Sequence, residues 1–173
     1  LTIGWLYPEL MSTYGDRGNI LILKKRCEWR GIDCTIIPID FSTQNPASPA
    51  GGLSTISLFF GGGAQDRQQS LLVSDLRKRI GPVMKKMIVN GTPGLFVCGA
   101  PQLLGHSFIP GNGVAMEGLH ILDIETRYKG TNDPRCIGNM IVETDLLKRR
   151  TIVGFENHGG RTYLETRAKP FGK

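Results

Sequence analysis

The chain has 173 residues, 40% of them hydrophobic and 21% charged, with a formal net charge of +6, a length that buries about two-thirds of the unfolded surface in one core and so predicts one domain. No run approaches the roughly 18 apolar residues of a membrane span, and no basic segment leads into an apolar stretch ending in small residues, so a protein that is neither membrane-inserted nor exported, with a cytoplasmic location, is expected. The positive charge is scattered, with short clusters only at Lys24-Lys25-Arg26, Arg77-Lys78-Arg79 and Lys148-Arg149-Arg150, which reads as solvated faces and speaks against nucleic acid as a partner.

In chain order, Thr2 to Tyr7 is an apolar, β-forming run closed by Pro8 and predicts the first strand. After the turn Gly15-Asp16-Arg17-Gly18-Asn19, Ile20, Leu23 and Cys27 recur at helical spacing up to Gly31, placed as a helix-ending glycine. Cys34 to Ile39 predicts a second strand, followed by a surface loop from Ser42 to Gly52. Ile56 to Phe60 is the third strand and runs into Gly61-Gly62-Gly63. Asp66 then opens a helical stripe of Leu72, Leu76, Ile80, Val83, Met84 and Met87, with a bend expected at Gly81-Pro82. A fourth strand, Gly94 to Val97, ends on Cys98, and a short helix follows to Gly105. Leu119 to Glu125, Ile137 to Glu143 and Thr151 to Asn157 are strand-like runs with no long helix between them. The pattern predicts an α/β fold, a mostly parallel sheet with helices on both faces and an antiparallel extension.

Ligands of open α/β sheets bind outside the carboxyl ends of the strands, and two unusual features fall at such ends: the triple glycine after Phe60 and Cys98 after Val97. A cysteine on a tight strand-to-helix turn is exposed beside unpaired backbone N–H groups, which favours its thiolate. Gly99 lets the next N–H point at a developing oxyanion, and Gly62 and Gly63 are candidates for further donors. Thiolate and oxyanion hole together describe acyl transfer from a carboxamide or ester. The plainer readings are a core cysteine and a phosphate-cradling loop; no Gly-Lys-Ser/Thr follows the glycines, and their spacing does not fit Gly-x-Gly-x-x-Gly. Cys27, Cys34, Cys98 and Cys136 contain no Cys-x-x-Cys pair, which predicts reduced thiols and assigns no metal ligands.

Three segments then carry a resemblance: Phe59 to Gln69, Cys98-Gly99-Ala100-Pro101-Gln102-Leu103-Leu104-Gly105, and Gly154-Phe155-Glu156-Asn157-His158-Gly159-Gly160-Arg161-Thr162. With Tyr7 to Met11 and Tyr14 to Asn19, the sequence resembles the CobB/CobQ-like class I glutamine amidotransferases over nearly its whole length. It departs from them at Phe96 and Ala100, where glycine is common, and at Ala64, an extra residue after the glycines. The resemblance implies the flavodoxin-like class I fold and a glutaminase in which Cys98 attacks the side-chain amide of L-glutamine, with Arg135 and Gln102 binding substrate and Asn157 and Arg161 supporting the pocket. A guanidinium suits the α-carboxylate because it can grip it bidentately.

The general base of a cysteine amidase is normally histidine. His106 and His120 read as structural, and His158 is the candidate within these residues. The family's own histidine lies in a downstream Tyr-Leu-His-Gly segment, so a single domain over 1–173 that continues past Lys173 is expected. Within the family the likeness implies a subunit forming a heterodimer with a MurT-like Mur ligase, which carries the ATP and magnesium and amidates D-glutamate of membrane-bound lipid II in peptidoglycan synthesis. No cofactor is expected in this chain. The alternatives are the glutaminase part of a cobyric acid synthase-like enzyme and a catalytically inactive binding subunit.

Overall fold

The computed structural model describes residues 1–48, 52–111, 113–130, 132–145 and 150–173; part of the Ser42 to Gly52 loop and Lys148-Arg149 lie outside them. The chain divides into two compact units, Leu1–Leu104 and Gly105–Lys173.

In the first unit the strands are β1 (Thr2–Leu6), β2 (Thr35–Ile39), β3 (Leu58–Gly61) and β4 (Gly94–Phe96), paired in parallel in the order β2-β1-β3-β4. Helix α1 (Asp16–Glu28) links β1 to β2 in one direction across the sheet. Helices α2 (Asp66–Asp75) and α3 (Gly81–Val89) link β3 to β4 in the other. Right-handed crossovers that step in opposite directions lie on opposite faces, so the sheet is covered on both. On the α1 face Ile20 and Leu23 pack with Ile3, Trp5 and Phe60.

Gly31 ends α1 with φ 65°, a left-handed conformation that glycine takes without penalty. The bend expected at Gly81-Pro82 is taken up by a π-helical turn, Leu76–Ile80, directly before α3. The wider turn accommodates a proline near the helix start, where no N–H is available for the ladder. Leu72, Leu76, Ile80 and Met84 are all buried along this segment, as their spacing predicts.

A polar clasp ties this helical segment to the loop after β2. Tyr7 donates its hydroxyl to Asp75 at 2.6 Å, and Arg79 donates to both oxygens of Asp75 at 2.7 and 2.8 Å. Arg79 also donates to the carbonyls of Asp40 and Thr43. Hydrogen bonding from Arg79 holds the Asp75 carboxyl below its ordinary pKa, while burial, then Asp75, push the Tyr7 phenol upward. A depressed carboxylate contributes stability that is present above the unfolded pKa, near 3.9, and lost as pH falls through the folded value. Asp75→Asn is therefore expected to destabilise the protein at pH 7 by about 1–3 kcal/mol. In thermal melts its deficit against the parent should shrink steadily below about pH 4.

The second unit forms two sheets of its own. The first contains β5 (Ser107–Ile109), β6 (Met116–Glu117), β7 (Ile124–Tyr128) and β10 (Gly160–Leu164), in the order β10-β7-β5-β6. The second is the antiparallel hairpin of β8 (Cys136–Glu143) and β9 (Thr151–His158). The strand expected from Leu119 begins instead at Ile124: His120 takes a left-handed φ of 52° and its N–H goes to the Gly105 carbonyl, which no continuous strand allows. Asp123 accepts hydrogen bonds from Arg167 and pairs with His106, whose other nitrogen meets His120 at 2.9 Å. His106 and His120 thus belong to a clasp of this sheet. No helix among the described residues is long and apolar enough to cross a membrane.

Candidate active site

Cys98 stands two residues after the end of β4 at Phe96 and immediately before α4 (Gly99–Leu104), with φ 57°. A side chain rarely accepts that conformation, and its presence here marks a strand-to-helix elbow held by its surroundings. Val97 donates its N–H to the Gly61 carbonyl and Ala100 donates to the Val97 carbonyl, which fixes the backbone on both sides of the elbow. Cys98 is exposed, while Gly99 and Ala100, which follow it, are buried.

The triple glycine packs directly against this elbow. A Cβ on Gly63 would come within 3.2 Å of the Cys98 Sγ, and one on Gly61 within 2.9 Å of the Ala100 methyl. A Cβ on Gly62 would run into the Met11 carbonyl and the Asp16 carboxyl group. These positions require glycine because nothing larger fits between the loop after β1 and the Cys98 turn.

Asp16 is the residue that sequence reasoning passed over. It is buried, opens α1 and accepts the Gly63 N–H at 2.8 Å. Thr13 donates to the Gly63 carbonyl, so both backbone groups of Gly63 are taken by the loop after β1. Gly63 therefore serves the elbow through its missing side chain, and its engaged N–H takes it out of the expected set of oxyanion donors. The available signal was position: Asp16 lies in the turn at the carboxyl end of β1, where α/β sheets build their sites. For the glutaminase that the family resemblance implies, Asp16→Ala is expected to lower kcat by about 30- to 100-fold with KM little changed, since small displacements of positioning groups cost that much. Asp16→Asn, which keeps an acceptor oxygen, should recover part of the loss; equal kcat in all three proteins would remove Asp16 from the site.

Gln102 is half-buried on α4, and its side-chain oxygen accepts from the amide of the buried Gln69 at 2.9 Å. Gln69 also donates to the Ala64 carbonyl at 3.0 Å. The two glutamines thus join α2 to α4 behind the elbow, a bracing contact at the position expected to bind substrate.

The remaining expected residues gather in the second unit: Asn157 and His158 end β9, Arg135 directly precedes β8, and Arg161 lies on β10. Asn157 accepts from Arg135 through Nε at 3.3 Å and Nη2 at 2.9 Å, so one edge of the guanidinium is anchored by a single amide oxygen. Arg161 donates to the carbonyls of Gly159 and Pro134 and pairs with Asp133 at 3.3 Å, bracing the segment that presents Arg135. His158 has both ring nitrogens engaged, Nδ1 with the Gly160 carbonyl at 2.8 Å and Nε2 with Glu156 at 3.0 Å. The structure brings Cys98, Gly62, Gly63, Gly99 and Gln102 together in one unit, and Arg135, Asn157, His158 and Arg161 together in the other.

A family profile, that of the CobB/CobQ-like glutamine amidotransferase domain, matches residues 2–173. The chain belongs to this family. Among CobB/CobQ-like proteins it is similar to the lipid II isoglutaminyl synthase (glutamine-hydrolyzing) subunit GatD of Staphylococcus aureus, 40% identical over 163 residues, which are 94% of this chain and 62% of that one. GatD of Streptococcus pneumoniae is 35% identical over 181 aligned positions, covering 100% of this chain and 63% of the relative. A cobyric acid synthase of Carboxydothermus hydrogenoformans is 31% identical over 85 residues, 44% of this chain and 17% of that enzyme. The chain thus spans less than two-thirds of the length of the GatD relatives. Among solved structures, one described as a glutamine amidotransferase superposes over 88% of this chain and 69% of its own, with a TM-score of 0.55 and 12% identity. That likeness concerns the fold, and it bears out the α/β amidotransferase architecture expected for a CobB/CobQ-like domain.

Proposed function

We propose that this glutamine amidotransferase subunit hydrolyses L-glutamine to glutamate and ammonia through a thioester on Cys98. The Cys98 thiolate attacks the side-chain carboxamide carbon, the oxyanion is received by backbone N–H groups at Gly62 and Gly99, and once the amide nitrogen has taken a proton the C–N bond breaks and neutral ammonia leaves. Water then cleaves the glutamyl thioester and returns the thiolate. Arg135, oriented by Asn157, grips the α-carboxylate of glutamine. Because Nδ1 of His158 is held by the Gly160 carbonyl and Nε2 by Glu156, we assign proton transfer to a histidine of the downstream kind that the family resemblance implies, and not to His158.

The observation that carries this reading is the left-handed Cys98 elbow against the Asp16-braced glycines. A core cysteine has no need of a positive φ, an exposed position and a neighbour that cannot bear a side chain.

We further propose that the ammonia passes to a MurT-like Mur ligase subunit, which supplies the ATP and magnesium and amidates D-glutamate of lipid II. GatD relatives aligned over nearly all of this chain support it more than cobyric acid synthase, whose likeness spans less than half of the chain. Glutamate release by the full-length protein, measured with and without such a ligase, tests the pairing. The reading predicts co-purification and a changed hydrolysis rate on adding the ligase; neither binding nor any change in rate would contradict it.

A further inference from the structure

We propose that Cys136, Glu156 and His158 form a binding site for a zinc-class divalent cation on one face of the β8–β9 hairpin. No local motif unites these residues, but the antiparallel register does. Cys136 lies directly opposite His158, and Glu156, two residues before His158 on the same strand, shares its face. Opposite Glu156 stands Gly138, with open space where a side chain would be, so the carboxylate has room beside the thiol.

The donor geometry is close to what a tetrahedral cation needs. The Cys136 Sγ, one Glu156 carboxylate oxygen and a His158 ring nitrogen all lie within 4.8 Å of one another. Zinc bonds of about 2.0–2.3 Å set donors roughly 3.3–3.6 Å apart, a side-chain adjustment and not a backbone one. Glu156 and His158 Nε2 are already at 3.0 Å.

The tautomer of His158 points the same way. The Gly160 carbonyl can only accept, so Nδ1, at 2.8 Å from it, carries the hydrogen. Nε2 is then the ring nitrogen that meets the Glu156 carboxylate oxygen, and a cation bound there would replace the proton the two share. A ligating histidine typically donates its other N–H to a backbone carbonyl in this manner, which fixes ring orientation in advance. Thiolate, imidazole and carboxylate together select zinc-class ions over magnesium or calcium. Binding releases the Cys136 thiol proton and that shared proton to solvent, and three protein donors leave a fourth position for water or a donor from another chain. The donors alternate with Arg135 and Asn157, so a bound cation would also stiffen the strand ends that carry the arginine.

The test is a Co²⁺ titration of the full-length protein, followed by Zn²⁺ displacement and equilibrium dialysis with Zn²⁺. A thiolate-to-cobalt absorption band is expected in the parent, in Cys98→Ala and in Cys34→Ser, and its loss in Cys136→Ser. Glu156→Gln and His158→Gln should each lower Zn²⁺ affinity by at least the roughly 10-fold that losing even an outer partner costs, with unchanged far-ultraviolet circular dichroism. These two variants carry the test if Cys136→Ser does not fold. No Co²⁺ or Zn²⁺ binding by the parent, a band that survives in Cys136→Ser, or affinities unmoved by the other two substitutions would overturn the proposal.

Discussion

Cys98→Ala is expected to lower glutamate release from glutamine by ~10³-fold or more in the full-length protein assayed with the proposed ligase subunit, while leaving the proposed pair assembled. The expectation follows from the role of the sulfur. Without it the remaining oxyanion donors and substrate contacts can still bind glutamine, but no group in the elbow can take the acyl chain. KM should move little compared with kcat, because the thiol makes its decisive bond only along the reaction path. Alanine at a left-handed position costs no more than cysteine does there, so thermal stability should stay close to that of the parent. A variant that loses partner binding along with activity would instead describe Cys98 as a structural residue.

Arg135 should show the opposite kinetic signature. Arg135→Ala is expected to raise KM for glutamine by about 10- to 100-fold, the value of hydrogen bonds to a charged group, with a smaller effect on kcat. Arg135→Lys keeps the charge but loses the planar fork, so it should fall between parent and alanine. Asn157→Ala releases the anchored edge of the guanidinium and should raise KM in the same direction by less. Unchanged KM in Arg135→Ala would remove the arginine from the substrate site.

The parallel half of the fold was legible because each element carries its own signal. Phe59 and Phe60 run into three glycines, Leu72 to Met84 keep a helical stripe, and Gly31 sits where a positive φ is needed. The second unit was less so. Leu119 to Leu122 has the apolar character of a strand, yet the chain turns at His120, and only the Gly105 carbonyl that receives its N–H explains why. Strands as short as Met116–Glu117 carry no measurable period.

The same division holds for the site. Cys98 and the glycines were readable because an elbow and a close approach demand particular residue types. Asp16 was not, since its partner is a backbone amide in a distant segment, and a carboxylate at a helix start has an ordinary explanation as a cap. The trio of Cys136, Glu156 and His158 depends on strand register, which one residue of slippage would abolish and which no local pattern declares.

The central claim is covalent chemistry at Cys98, and rapid acid quench during turnover tests it directly. Full-length protein mixed with glutamine and partner, quenched and mapped by peptide mass spectrometry, should show a glutamyl group on the peptide carrying Cys98. That adduct should vanish in Cys98→Ala and when the quenched sample is treated with hydroxylamine. Glutamate release at the parent rate with no adduct on that peptide, or with the adduct on Cys27, Cys34 or Cys136, would contradict the account.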